Sequence, residues 1–198
     1  MPRKIRNILL VAILLLGVFF AIPQSIRSTV LSSYNAGDKL DSLNGIYVYY
    51  NGGMNDTYGR NTINGYNVGL KYQCVEFIKR YYYYHFEHKM PDTWGHAKNF
   101  CDQSLGDGSF NKARGLYQYN NGSTNKPRVN DILVFGAHSF NPYGHVAIIS
   151  KVEEDYIEII QQNVGTSSRE TIEYTVTDAN YTLNRSDVLA WLSKQKPL

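Results

Sequence analysis

Two cysteines and five histidines are the residues of this 198-residue chain that could supply a nucleophile and its base. A cysteine nucleophile needs an imidazole to take its proton and a third group to orient that imidazole. Cys74 lies in a stretch, residues 73–87, where apolar side chains recur every three or four positions, which predicts a helix with the thiol in its first turn. There the helix dipole favours the thiolate, and free N–H groups can stabilise an oxyanion. We therefore take Cys74 as candidate nucleophile, with Gln73 as candidate oxyanion or substrate-binding residue.

The cysteines also have plainer interpretations. Cys74 fits equally well as a small apolar side chain on the core-facing side of the helix. Cys101 is interpreted as a loop thiol or, alternatively, as the partner of Cys74 in an inhibitory disulfide, which needs Cα atoms within about 7 Å. Two cysteines are too few for a disulfide scaffold or a zinc site built from thiolates.

The candidate base is His145. It follows Gly144 and opens an apolar run, residues 145–152, so a strand would hold its imidazole at the edge of a sheet, where glycine permits close approach. The remaining histidines lie at the end of the predicted helix or in polar loops: His85, His88, His96 and His138. We therefore expect His145, rather than any of these, to face the thiol.

An amide at the end of the next strand is the candidate orienting group. Residues 156–161 read as a strand that runs into Gln161, Gln162 and Asn163. We expect Gln161 or Asn163 to accept a hydrogen bond from the imidazole Nδ1–H and so fix its tautomer. Ordinary strand-end and turn chemistry is the alternative.

Six segments carry strand patterns, and they follow the predicted helix for the most part: residues 45–50, 131–135, 145–152, 156–161, 171–176 and 188–192. Residues 53–69 are expected to form a long loop, and the polar stretch 95–128 shows only weak helical pieces around residues 94–100. A helix followed by consecutive strands predicts an α+β fold with an antiparallel sheet rather than alternating βαβ units.

The N-terminal segment predicts export. Residues 1–6 are basic and residues 8–22 carry no charge, as in a signal peptide or a signal anchor. A helix of that length spans about 22 Å, short of the ~30 Å hydrocarbon core. We expect a signal peptide or membrane anchor at residues 1–25, a linker at 26–43 and one domain at 44–198. Membrane contact would then run only through residues 3–22, if they are uncleaved.

The charge balance of the remaining chain argues against nucleic acid as a partner. Arg3, Lys4 and Arg6 account for the net charge of +3, so the body carries equal numbers of basic and acidic residues. Nucleic-acid affinity comes largely from Lys and Arg neutralising phosphates. We expect an exported monomer, periplasmic or extracellular at the cell wall.

Four blocks together resemble the CHAP family of cysteine- and histidine-dependent amidohydrolases and peptidases: YQCVEF at 72–77, NDILVF at 130–135, GHVAII at 144–149 and QN at 162–163. The resemblance runs from about residue 45 to 192. It looks close to the amidase domain of glutathionylspermidine synthetase/amidase and to peptidoglycan-cleaving CHAP hydrolases, which are similar in the same blocks. It implies a papain-like (NlpC-type) α+β fold, with the catalytic helix packed on an antiparallel sheet of about five to six strands.

The resemblance also implies roles. Cys74 matches the nucleophile and His145 the general base, while the positions of the family's glutamate and asparagine read Gln161 and Asn163. The carboxylate is therefore missing, and a neutral Gln161 stabilises an imidazolium less than glutamate would. The implied reaction is thiolate attack on an amide, proton donation to the leaving amine and hydrolysis of a thioester. It needs no metal or cofactor, and residues 102–107 lack the alternating acidic pattern of a calcium loop.

Export selects among the substrates that the resemblance implies. Glutathionylspermidine is a cytosolic thiol, whereas peptidoglycan peptide stems present amides outside the membrane. We therefore expect an N-acetylmuramoyl-L-alanine amidase or endopeptidase. An amidase acting on a small glutathione-like conjugate and a catalytically silent binding module remain as alternatives. The seventeen tyrosines suit a groove for sugar and peptide, although those at 81–84 fit core packing better.

Overall fold

The computed structural model describes residues 4–9, 11, 13 and 33–197. Residues 4–9 are helical and exposed, and the predicted signal segment at 1–25 otherwise lies almost entirely outside the described residues. Within the described ranges, no helix is long and apolar enough to cross a membrane.

From residue 33 onward the chain forms an α-helix, α1 (Cys74–Phe86), a 3-10 helix (Ala97–Phe100) and twelve strands. In chain order the strands are β1 (Lys39–Leu43), β2 (Ile46–Tyr49), β3 (Arg60–Ile63), β4 (Tyr66–Leu70), β5 (Ser109–Asn111), β6 (Leu116–Asn120), β7 (Ile132–Phe135), β8 (His145–Val152), β9 (Tyr156–Ile160), β10 (Arg169–Thr177), β11 (Asn180–Leu183) and β12 (Val188–Ser193).

The main sheet has eight strands in the order β11-β10-β9-β8-β7-β12-β6-β5, and each neighbouring pair is antiparallel. The expected α+β class with an antiparallel sheet is confirmed, but the expected size of five to six strands is wrong. The additional strands β5, β6 and β11 come from polar sequence. In β6, the buried Gln118 uses its amide to bond both the N–H and the C=O of Asp102, so a polar side chain fills a core position.

Two hairpins lie outside the main sheet. β3 and β4 pair within the segment predicted to be a loop, and Asn64 and Gly65 form their turn with φ of 48° and 78°. Positive φ at both turn positions is the geometry that Asn-Gly favours in a two-residue hairpin. β1 pairs with β2, and Leu40 and Leu43 of β1 pack on the core. The linker predicted at 26–43 therefore extends too far, because residues 39–43 belong to the folded body.

Both faces of the central strands are buried, which makes them a rigid support for His145. All four residues of β7 are inaccessible. One face of the sheet joins α1 in a cluster that includes Phe77, Val134 and Val146. The other face forms a second cluster, around Trp191. Continuous apolar strands of this kind are expected where a sheet is covered on both sides.

Candidate active site

Cys74 is the first residue of α1 and is buried, with 8% of the residue exposed. The helix starts here because the Gln73 N–H closes a turn on the Leu70 carbonyl at 2.9 Å, while the Gln73 carbonyl accepts the Phe77 N–H at 3.3 Å. The backbone N–H of Val146, the residue after His145, hydrogen-bonds the thiol. The start of the helix and the start of β8 therefore meet at the sulfur.

The acidity of the thiol differs from the expectation. Burial raises the pKa of Cys74 to about 11, and the backbone N–H groups of Val146, Val75 and Cys74 offset this only in part. The predicted net lowering of the thiol pKa is wrong, because the free-energy cost of burying a thiolate exceeds the stabilisation that the N–H groups at the helix start provide.

His145 is the first residue of β8, as predicted, and its ring lies 5.8 Å from that of Phe135 between centroids. Imidazole Nε2 hydrogen-bonds Gln161 Oε1 at 2.9 Å. The prediction that Nδ1 makes this bond is wrong, because the ring presents Nε2 to Gln161 at the end of β9. Nδ1 is then the nitrogen that can act as the proton acceptor. The ring is half-buried, and its burial lowers the pKa of His145 to about 4 despite the hydrogen bond to Gln161.

Gly144 permits the backbone to turn into β8. Its φ is 72°, and a Cβ there would lie 2.6 Å from the Phe135 carbonyl oxygen and 3.0 Å from the Lys98 nitrogen. Any other residue would push β8 away from β7, and His145 with it.

Asn163 directs its amide to a different set of partners. Its Nδ2 donates to Gln73 Oε1 at 2.6 Å and to the Met54 carbonyl at 2.9 Å, while its Oδ1 accepts from Asn51 at 2.9 Å. Of the two amides predicted to orient the imidazole, Gln161 is the one that contacts it. Asn163 braces the residue before the nucleophile.

The N–H donors of Gln73 that an oxyanion would need already bond to backbone carbonyls. Its Nε2 donates to the carbonyls of Asp56 and Met54 at 2.8 and 3.3 Å, and its backbone N–H is used by Leu70. The oxyanion role predicted for Gln73 would require these bonds to open. The backbone N–H of Cys74 is therefore the better candidate donor.

Gln162 is a site residue that sequence reasoning missed. It is fully buried; its Nε2 donates to the Gln73 carbonyl at 3.1 Å and to Glu76 at 3.0 Å, and its Oε1 accepts the Tyr49 N–H at 2.8 Å. The available signal was strand alternation, which places position 162 on the face opposite Gln161.

The described part of the chain contains no group of three or more His, Cys, Asp or Glu side chains arranged to hold a metal ion. Cys74 and Cys101 are both free thiols. Asp102 and Asp107 bond neighbouring backbone and hydroxyl groups, including Ser104 and Ser123.

An antiparallel α+β domain that places a buried thiol beside an imidazole–amide pair has the arrangement expected of an amide hydrolase. The CHAP domain family profile matches residues 64–163. The chain therefore belongs to the CHAP domain family, and a hydrolase is the class that this family and its relatives support.

Two curated relatives illustrate the family. The bifunctional glutathionylspermidine synthetase/amidase of Escherichia coli (strain K12) is 26% identical over 149 residues, which are 69% of this chain and 24% of that protein. Endolysin PlyTW of Staphylococcus phage Twort is 27% identical over 96 residues, 46% of this chain and 19% of the endolysin. The chain spans a quarter or less of the length of the curated relatives it matches. Among solved structures, that of Ly7917 is 23% identical with a TM-score of 0.38, covering 61% of this chain and 52% of its own.

The resting state of the pair can be tested without a substrate. With a thiol pKa of about 11 and an imidazole pKa of about 4, both groups are neutral near pH 7. We expect the rate of Cys74 alkylation by iodoacetamide to rise about tenfold per pH unit between pH 7 and 10, following the thiolate fraction. The measurement uses a Cys101→Ser background and mass spectrometry of the Cys74 peptide. A rate that is already level by pH 7 would instead reveal a preformed thiolate–imidazolium pair.

Proposed function

We propose that this protein is a cysteine amidohydrolase of papain-like fold that cleaves peptidoglycan amides outside the cytoplasmic membrane. The observation that carries the proposal is the 2.9 Å bond from His145 to Gln161 beside a thiol that the N–H of Val146 contacts. A nucleophile, a base and an orienting group are the three parts that acyl transfer requires.

The reaction begins from the neutral pair. His145 takes the thiol proton as the Cys74 sulfur bonds to the amide carbon, and the resulting oxyanion is stabilised by the Cys74 N–H. The imidazolium then gives that proton to the amine as the C–N bond breaks, which leaves a thioester. Water adds to the thioester and loses a proton to His145. The proton returns to the sulfur as the acid leaves.

Compartment and surface support peptidoglycan as the substrate. The basic and apolar N-terminal segment favours export, whether residues 1–25 are removed or retained as an anchor. Beside Gln73 lies a run of tyrosine rings, with Tyr72 centred 5.4 Å from Tyr49 and 5.8 Å from Tyr58. Half-exposed aromatic rings of this kind suit contact with sugar and peptide. One relative is named an endolysin, which agrees with peptidoglycan as the substrate.

One alternative substrate has its own support. The relative whose name includes an amidase acts, by that name, on glutathionylspermidine, so a small glutathione-like conjugate is a second candidate. The third candidate function is a catalytically silent binding module. It is favoured by Gln161, which stands where the family resemblance implies a glutamate.

Product analysis separates these candidates. Purified protein is incubated with a defined muropeptide and, in parallel, with glutathionylspermidine, and the products are identified by mass spectrometry. An intact stem peptide plus free muramyl sugar indicates the muramoyl-alanine amidase, and shortened peptides indicate an endopeptidase. Cleavage of the conjugate alone would refute the peptidoglycan proposal, and cleavage of neither would favour the binding module.

A further inference from the structure

The carboxylate of Glu170 hydrogen-bonds the side chain of Gln161. Gln161 Nε2 donates to Glu170 Oε2 at 3.1 Å, on the side of the amide away from His145. Glu170 lies on β10, and the bond from the Gln161 N–H to the Ser168 carbonyl at 2.8 Å fixes the two segments relative to each other. A chain of side chains therefore runs from the imidazole through Gln161 to a half-buried glutamate.

The hydrogen-bonding capacity of each group determines the direction of this chain. An ionised Glu170 only accepts, so it requires the NH2 of Gln161. The amide oxygen of Gln161 must then face His145, and since an amide oxygen also only accepts, imidazole Nε2 must carry the proton. Nδ1 is left with its lone pair, which is the form that a general base needs.

We propose that Glu170 is a positioning residue that sets the tautomer of His145 by fixing the orientation of the Gln161 amide. It supplies from the neighbouring strand the carboxylate that the family resemblance places at position 161. The proposal rests on the proposed function, in which His145 is the base. An amide without this anchor can rotate by half a turn, present its NH2 to Nε2 and leave Nδ1 protonated, which cannot accept the thiol proton.

The charges around the ring favour the same role. Glu170 also pairs with Arg185 at 2.5 Å, and Arg185 pairs with Asp187 at 2.8 Å and lies over Phe135, 4.5 Å from its centroid. Two carboxylates, those of Glu170 and Asp187, and the guanidinium of Arg185 therefore act electrostatically on His145. The carboxylates act to raise the pKa of His145 and Arg185 acts to lower it, so the group carries net negative charge toward a forming imidazolium.

The tautomer can be read without any substrate. In full-length 15N-labelled protein at pH 7, a long-range 1H–15N correlation spectrum shows which nitrogen of His145 carries the proton. We expect Nε2–H in the wild type and an appreciable Nδ1–H fraction in Glu170→Gln, whose amide can either donate or accept. A wild type that is Nδ1–H, or a Glu170→Gln variant that stays entirely Nε2–H, would overturn the proposal even if the protein hydrolyses nothing.

Activity and an exchange of the two side chains give the second readout. Loss of a residue that orients a metal-ligating histidine typically costs about 10- to 100-fold, and we expect kcat to fall by a similar factor in Glu170→Gln, with KM little changed. The double variant Gln161→Glu/Glu170→Gln places the carboxylate directly on Nε2–H and should recover both the tautomer and the rate. Failure of the double variant to recover the tautomer would mean that Glu170 matters only for packing.

The matched control is Glu158→Gln. Glu158 lies on β9 and pairs with Arg169 at 2.6 Å, so Glu158→Gln removes a comparable ion pair and leaves the bond between Gln161 and Glu170 in place. We expect neither the tautomer nor kcat to change. An equal loss of rate in this control would assign the effect to the stability of the sheet and contradict the positioning role.

Discussion

Cys74→Ala is expected to abolish amide hydrolysis, with kcat falling about 10⁶-fold, as happens when the nucleophile of a catalytic triad is removed. The thiol supplies the atom that bonds to the carbonyl carbon, and no neighbouring group replaces it. Clearing of purified sacculi in a zymogram and mass analysis of muropeptide products measure the loss. Full lysis by this variant would refute the cysteine mechanism.

Two controls make this result specific. Cys101→Ala removes the other buried thiol, which ends the 3-10 helix, and should retain the wild-type rate. The double variant Cys74→Ala/His145→Ala should be no slower than Cys74→Ala alone, because a base has nothing to activate once the nucleophile is gone. Unchanged thermal unfolding of Cys74→Ala would show that the loss is chemical rather than structural.

The sequence predicts the strands that support the site better than those at the edges of the sheet. β8 begins at His145 as expected, and β7 lies within the predicted segment, because apolar runs covered on both faces leave a clear signal. β5, β6 and β11 have no such signal. Their polar residues, such as Gln118, are paired through tertiary contacts that no local pattern reveals.

Residue types and order also bring the candidate groups together, but they do not determine how each group behaves. The helix position of Cys74 argues for an acidic thiol, and only tertiary burial reverses the direction of its pKa shift. Similarly, a histidine and an amide on adjacent strands predict a hydrogen bond, while the nitrogen that makes it depends on how the ring is presented. Such properties depend on packing and desolvation, which act through the fold.

The partners behind the site are harder still to predict. Glu170 lies on β10, and Arg185 lies between β11 and β12. In the sequence, each has the pattern of an ordinary surface charge. Gln162 forms part of a family block, but the sequence predicts the orienting role for its neighbours Gln161 and Asn163. Only the pairing of β9 with β10 brings Glu170 within reach of Gln161.

Glu76→Ala is expected to lower the free energy of unfolding by about 3–5 kcal/mol, the cost of removing one partner from a buried ion pair. The side chains of Glu76 and Arg80 are 2% and 9% exposed and lie 2.7 Å apart, so the variant leaves a guanidinium buried without its carboxylate. Asn61 and Gln162 lose acceptors at the same time. Urea unfolding followed by circular dichroism gives the difference.

A surface pair and a double variant test that explanation. Glu153→Ala breaks the exposed pair with Lys151, whose side chains are 40% and 55% exposed, and should change the free energy of unfolding by less than about 1 kcal/mol. Glu76→Ala/Arg80→Ala should cost less than the sum of the two single variants, since no unpaired charge remains. Additive losses would mean that water already reaches Arg80 and that the pair is not desolvated.

Glu76→Ala should also lower activity, because Gln162 connects Glu76 to the active site. That amide bonds both Glu76 and the Gln73 carbonyl, so it joins the buried ion pair to the residue before the nucleophile. Without Glu76, the segment that carries Gln161 loses one of its attachments to the start of α1. We therefore expect the activity of Glu76→Ala, measured well below its unfolding temperature, to fall further than its folded fraction does. If activity and folded fraction fell equally, the ion pair would contribute to stability alone and would have no part in placing the Gln161 amide.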